Sequence, residues 1–183
     1  MSKQKGKKKK QSKTYQIISI VLVFGLILYL VFANLLNTND NKDKNSAMKA
    51  YTSIDFKKNG ELTFVDQNNE YISKIDIEIA EDDNARRDGL MYRDKMKATQ
   101  GMFFIFQIEA MQSFWMRNTL IPLDIIFVNS KNKIVTIHKD AIPFDEGQYL
   151  STKPAKFVVE VNAGYTDSLG INEDDNIIWR RTN

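Results

Sequence analysis

The chain predicts a mainly β (β-rich α+β), small barrel-like domain with two short helices, preceded by one transmembrane helix. Three observations carry that expectation. The twenty residues Ile17–Leu36 (IISIVLVFGLILYLVFANLL) contain no charge. Beyond residue 50, short apolar runs recur between clusters of Asn, Asp, Gly and Ser, as strands separated by turns do. Only two stretches in that part, Asp82–Met91 and Asn162–Gly170, carry helix start and stop signals.

Residues 1–16 read as a cytoplasmic tail. Residues 1–13 hold seven lysines and no acid. At ~1.5 Å of rise per residue, the run 17–36 covers roughly the 30 Å hydrocarbon core of a bilayer. Lysines before it and Asn37-Thr-Asn-Asp-Asn41 after it orient the segment with its N-terminus in the cytoplasm. The expected location is therefore the cell membrane, single-pass, with the C-terminal domain periplasmic or extracellular. Val31-Phe32-Ala33 offers small residues for cleavage, but the apolar run exceeds the ~7–15 residues of a signal-peptide core. An uncleaved signal anchor is the expectation. Residues 37–50 (NTNDNKDKNSAMKA) are a polar linker with little to bury. Residues 51–183 remain for one extracytoplasmic β-rich domain.

Within it, Glu61–Val65 predicts a strand and Asp66–Asn69 a turn. Tyr71–Ala80 predicts a half-exposed strand with Ile75, Ile77 and Ile79 inward and Asp76 and Glu78 outward. Asp82 or Asp83 caps the first helix and Gly89 lies near its end. Gly101–Phe106 is apolar throughout, as a strand buried on both faces requires. Pro122–Val128 and Lys133–His138, joined by Asn129–Asn132, predict a β-hairpin. Phe157–Val161 is a further strand, Asn162 to Gly170 a short helix with Asn162 as N-cap, and Ile177–Trp179 a last strand.

Composition excludes several functions. The net charge is +3, but beyond residue 13 there are 19 basic and 23 acidic residues, a mildly acidic body ill-suited to nucleic acid. With no cysteine there is no disulfide and no lipoprotein attachment site. One histidine without cysteine makes no ordinary zinc site, and no cofactor is expected. Asn172-Glu-Asp-Asp175 lacks calcium-loop spacing and reads as a solvated turn. Met91, Met96, Met102, Met111 and Met116 could offer thioethers to Cu(I), but their interleaving with Phe and Leu makes core packing the default. No Gly-x-Ser-x-Gly elbow and no phosphate loop occurs.

Polar residues gather at one end of the predicted hairpin. Asp124 shares a strand face with Ile126 and Val128, so its carboxylate needs partners. A tight register places it opposite about residues 137–139, near His138. Glu160 and Asn162 share a face of the later strand. The segment Phe114-Trp-Met-Arg-Asn-Thr119 enters the same end. The candidate ligand-binding set is therefore Arg93, Phe114, Trp115, Arg117, Asn118, Asp124, His138, Glu160 and Asn162, with the aromatics as an apolar wall. The alternative for each is structural: Asn162 capping its helix, Asp124 tying down a loop, Glu160 paired with Arg93 or Arg117.

Gly89-Leu-Met-Tyr-Arg93, Gly101–Phe106, Ser113–Phe127, Ile134–His138 and Pro154–Gly164 follow one another in an order that resembles the bacterial and archaeal family called domain of unknown function 192, over about Ile75 to Trp179. The resemblance implies a small, mainly β, barrel-like domain, often behind a signal peptide or anchor. It implies no established activity, substrate or catalytic residue. The pattern matches at Arg93, Phe114, Trp115, Met116, Asn118, Thr119, Pro122, Asp124, Glu160, Asn162 and Gly164. It departs at Arg117, where lysine is common, and at Glu81-Asp-Asp-Asn84, which replaces a Thr-Pro start and makes Arg86 and Arg87 weaker candidates than Arg93.

Three functions follow. The first is a membrane-anchored module binding a small polar ligand or envelope component. The second is a structural domain contacting another envelope protein. The third is a carboxylate-dependent hydrolase or transferase using Asp124 or Glu160. Exposure of Trp115, Arg93, Asp124 and Glu160 separates them.

Overall fold

The structure, a computed structural model, describes residue 18, residues 21–32 and residues 54–182. The chain divides into two units, Met1–Ala50 and Tyr51–Asn183. In the first, residue 18 and residues 21–32 are helical with exposed side chains. Among the described residues no helix is long and apolar enough to cross a membrane, so by that measure the transmembrane helix expected over 17–36 is not found. The lysine-rich tail, the linker 37–50 and the cleavage site at Ala33 lie outside the described residues.

The second unit is built on β1 (Gly60–Val65), β2 (Tyr71–Ala80), α1 (Asp83–Asp88), β3 (Gln100–Ala110), β4 (Ser113–Phe114), β5 (Leu123–Val128), β6 (Ile134–Ala141), β7 (Tyr149–Leu150), β8 (Ala155–Asn162), α2 (Tyr165–Leu169) and β9 (Asn176–Arg181). Seven strands form one sheet in the order β6-β5-β8-β3-β2-β1-β9, and β4 pairs with β7 in a separate ribbon. Every neighbour in the large sheet is antiparallel except β2 and β3. That parallel pair needs a crossover, and α1 with the loop after it supplies one.

The sheet curls without closing into a barrel, which corrects the barrel-like expectation. Its edge strands meet at one corner only, through a bridge between Lys133 and Asn176. Backbone bonds reinforce that corner: Ile134 N–H donates to Asp175 O at 2.8 Å and Ile177 N–H to Asn132 O at 2.9 Å.

Two cores flank the sheet. All seven strands contribute to the one inside the curl, with Leu62, Phe64, Ile75, Ile77, Phe103, Ile126, Ile134, Val159, Val161 and Ile177 buried there. The second, with Leu90, Met102, Phe104, Met116, Leu123, Ile125, Phe127 and Val158, lies on the opposite face. Residues of β5 are therefore buried without interruption, and Gly101–Phe104 likewise, as the continuous apolar runs require.

The crossover also overturns one expectation for β2. Glu78, expected outward, is buried, because the crossover covers that face near the end of the strand. Arg93 follows it in, its Nη1 donating to Glu78 Oε1 at 2.9 Å. The partner of Arg93 is thus Glu78 and not Glu160.

Candidate functional site

A cavity of about 330 Å³ opens on the second face, between α1 and the β4–β7 ribbon. Residues 86–91 from α1 and its C-terminal turn form one side, and Ser113, Phe114 and Trp115 the other. Phe104, Phe106 and Glu160 form the sheet-side wall, and Thr119 and Gln148 complete it.

Local physics explains each wall. Asp82 caps α1, accepting from Ala85 N–H at 2.9 Å. The helix stops at Gly89, whose φ is +45°, a region that favours glycine. A Cβ there would stand 3.3 Å from the Phe104 ring, so glycine lets the helix end lie close against the sheet. Arg86 is fixed by Ile105 O at 3.0 Å, by Glu81 O and Asp83, with its guanidinium 5.5 Å from the Phe106 ring centroid. Arg87 is exposed and meets Asp88 at 3.0 Å.

Opposite, the Phe-Trp-Met triplet distributes its side chains by burial. Phe114 turns inward, edge-on to Phe104 at 4.9 Å and to Phe127 at 5.7 Å. Met116 is fully buried, and Trp115 stands between them at the rim, 45% exposed. Arg117 lies over the Trp115 ring, 5.6 Å from its centroid. Backbone pairing of Ser113 with Leu150 and Phe114 with Tyr149 fixes the segment.

Glu160 faces this cavity from the sheet. Cross-strand partners put Glu78, Met102, Glu160, Ile125 and His138 in one row across five strands, all on the second face. Glu78 is taken by Arg93, and His138 Nε2 by Leu150 O at 2.8 Å. Glu160 is 4% exposed, lies between Met102 and Ile125, and has no hydrogen-bond partner among the described residues. Burial pushes its carboxyl up to about 8, so at neutral pH it holds its proton and can donate.

The remaining expected site residues lie elsewhere. Asp124 points to the opposite face from Glu160 and is wholly buried. It accepts from Asp140 N–H at 3.0 Å, Gly164 N–H at 3.2 Å, Thr166 N–H at 2.9 Å and Thr166 Oγ1 at 2.7 Å. Asp124 thus caps α2 from a distant strand. Asn162, expected as that cap, is not: the N-cap is Gly164, and Asn162 Nδ2 donates to Met96 O at 2.9 Å. The expected meeting of Asp124 and His138 does not occur either. His138 pairs with Ile125 and sits edge-on to Phe127 and Tyr149, on the face away from Asp124.

Asn118 takes a left-handed conformation (φ +54°), and its Nδ2 donates to Tyr92 Oη at 2.9 Å. With Tyr92 N–H donating to Asn118 O, it braces the turn after α1. Of the nine expected residues, Phe114, Trp115 and Glu160 line the cavity and Arg117 stacks on its rim. Arg93, Asn118 and Asn162 hold the crossover that forms one wall. Arg86 and Arg87, weaker candidates by sequence, are wall residues, as are Phe106 and Gln148, which lie outside the expected set. The two adjacent cations at the end of a capped helix were the available signal. Among the described residues no three of His, Cys, Asp and Glu converge on a point where a metal ion could sit.

Residues 63–179 match the profile of the family described as an uncharacterised ACR, domain of unknown function 192. Among solved structures, a protein of Sinorhizobium meliloti 1021, described provisionally as a transcription regulator, is 31% identical with a TM-score of 0.64. That similarity covers 69% of this chain and 98% of the other. A protein of unknown function from Novosphingobium aromaticivorans DSM 12444 is 34% identical with a TM-score of 0.62, covering 65% of this chain and 84% of that one. No curated protein matches the chain.

Proposed function

We propose, from the premise that this chain belongs to the uncharacterised family of domain of unknown function 192, that it is a membrane-anchored binding module whose α1-side cavity takes a small ligand or envelope component. The observation that carries the reading is Glu160: a buried carboxyl without a partner among the described residues, on the wall of an aromatic-lined cavity. Buried polar groups are ordinarily satisfied, and one aimed into an open cavity invites an external partner. The half-exposed Trp115 fits a cavity rim better than a plain core anchor. The uncharged run 17–36 and its lysine flank support the anchor and, with it, a domain outside the cytoplasm.

The carboxylate-pair enzyme finds less support. Asp124 and Glu160 face opposite sides of the sheet, and the hydrogen bonds of Asp124 are internal. Glu78, on the same face as Glu160, is occupied by Arg93.

The test is a thermal-shift and tryptophan-fluorescence screen of the full chain in mild detergent, against sugars, cell-wall fragments, organic acids, amines and metal ions. At least one class should raise the melting temperature, and Trp115→Ala should abolish that rise. If nothing in the panel shifts the protein, the binding reading fails.

A further inference from the structure

We propose, resting on the binding reading above, that the cavity takes a small amphipathic anion: its acidic head at the Arg86–Arg87 mouth, its apolar body along Phe114 and Trp115, and an acceptor oxygen at Glu160. Each part answers a different wall. The outer side offers guanidinium groups. Arg87 is 61% exposed, and its contact with Asp88 is an exposed ion pair, which holds the side chain weakly and leaves it free to turn to an incoming anion. Arg86 is already tethered and presents a fixed positive edge beside Phe106. Arg117, over Trp115, adds a third cation to the rim. Asp88 is the acidic residue lining the cavity beside them.

The middle is aromatic. Phe114, Phe104 and Phe106 meet edge-to-face, which leaves a rigid apolar slot with Trp115 as its outer flank. Its volume suits a body of about one aromatic ring with a short tail.

The sheet-side wall carries a single donor. Charged and titratable groups that share the cavity or the cross-strand row with Glu160 are Arg86, Arg87 and Asp88 from the α1 side, Glu78 from β2 beyond Met102, and His138 from β6 beyond Ile125. Glu78 is held by Arg93 and His138 by Leu150 O, so neither reaches across to pair with it. Burial keeps the Glu160 carboxyl protonated until about pH 8, and a protonated carboxyl donates to a carbonyl or hydroxyl oxygen. A cationic ligand would suit an ionised floor but would have to pass three guanidinium groups.

Four matched probes separate the parts, using the full chain in detergent and the fluorescence of Trp115. The other tryptophan, Trp179, packs against Phe103 and Phe157 and gives a constant background. The probes are 3-(4-acetylphenyl)propionate, its methyl ester, 3-phenylpropionate and phenethylamine. The acetyl acid should bind tightest, and losing either the head charge or the acetyl oxygen should weaken binding by about tenfold. Arg87→Ala should bring acid and ester together. Glu160→Gln, which keeps a donor, should retain binding, whereas Glu160→Leu should erase the advantage of the acetyl group.

The pH profile distinguishes a donor from a merely structural carboxyl. Wild-type affinity for the acetyl acid should be flat at neutral pH and fall as pH passes about 8, while Glu160→Gln stays flat. Near-ultraviolet circular dichroism confirms that each variant is folded. The inference is overturned if the ester binds as well as the acid. It is equally overturned if phenethylamine binds best, with proton release and affinity rising with pH. No binding by any of the four, with a hit elsewhere in the wider panel, removes this inference and leaves the binding reading. No binding anywhere removes both.

Discussion

Burial without a partner among the described residues makes Glu160 a stability sensor as well as a candidate site residue. Its carboxyl is raised from an ordinary 4.5 to about 8 in the fold. A raised acid contributes stability that is complete below pH 4.5 and is lost as pH rises through about 8. Between those values the unfolded chain has released the proton and the folded one still holds it, so stability should fall by about 1.4 kcal/mol per pH unit. Urea titrations across that window should show the slope in the wild type and its loss in Glu160→Gln. Asp124 differs in its partners, because its oxygens are saturated by internal donors. Asp124→Ala strands those donors and should cost about 2–4 kcal/mol by chemical denaturation, without altering ligand binding. Strand alternation made the face of Glu160 legible in the sequence, since period two needs no distant information. The face of His138 was not legible. A register shift between Phe127 and Val128 in the β5–β6 pairing sets it against Ile125, where the pairing of Val128 with Ile134 would otherwise carry it to Asp124, and hairpin length alone does not reveal such a shift.

Glycine at the end of α1, the Asn118–Tyr92 brace and the Glu78–Arg93 pair together fix the turn that walls the cavity. Arg93→Met would leave Glu78 buried without its counter-charge, at a cost of about 3–5 kcal/mol. The double change Glu78→Gln with Arg93→Met should recover much of that loss, and a double-mutant cycle by urea unfolding would measure the coupling. The long strands and both helices could be read from periodicity and caps, with ends displaced by up to four residues, as at β3, and with the cap of α2 misplaced at Asn162. The β4–β7 ribbon could not. Each of its strands has two residues, too short for any period, and their partners are more than thirty residues apart in the chain. The parallel pairing of β2 with β3 was hidden for a similar reason: nothing local in Tyr71–Ala80 states which way its neighbour runs.

Over the whole molecule, the composition separates a charged tail and apolar segment from a self-contained domain with its own two cores. The proposed membrane attachment predicts that the full chain sediments with membranes and is extracted only by detergent, while residues 51–183 expressed alone stay in the soluble fraction. Recovery of the full chain in the soluble fraction would count against an uncleaved anchor. The family was recognisable from five ordered motifs, but the open sheet was not, because closure depends on whether the first and last strands of the sheet meet along their length or at a corner. The pairing of β1 with β9 has a further consequence, for time. Gly60 aligns with Arg181, so the outermost strands of the domain's sequence are neighbours in space. A ribosome or a translocation channel delivers the first of them long before the last. Until β9 emerges, β1 has only β2 beside it, and the curl cannot be fastened at Lys133 and Asn176. Such long-range closure places folding among the slow, millisecond-to-second class. The domain is committed only once β9 is available, and a truncation of even that strand should leave an unfinished sheet and not a smaller one.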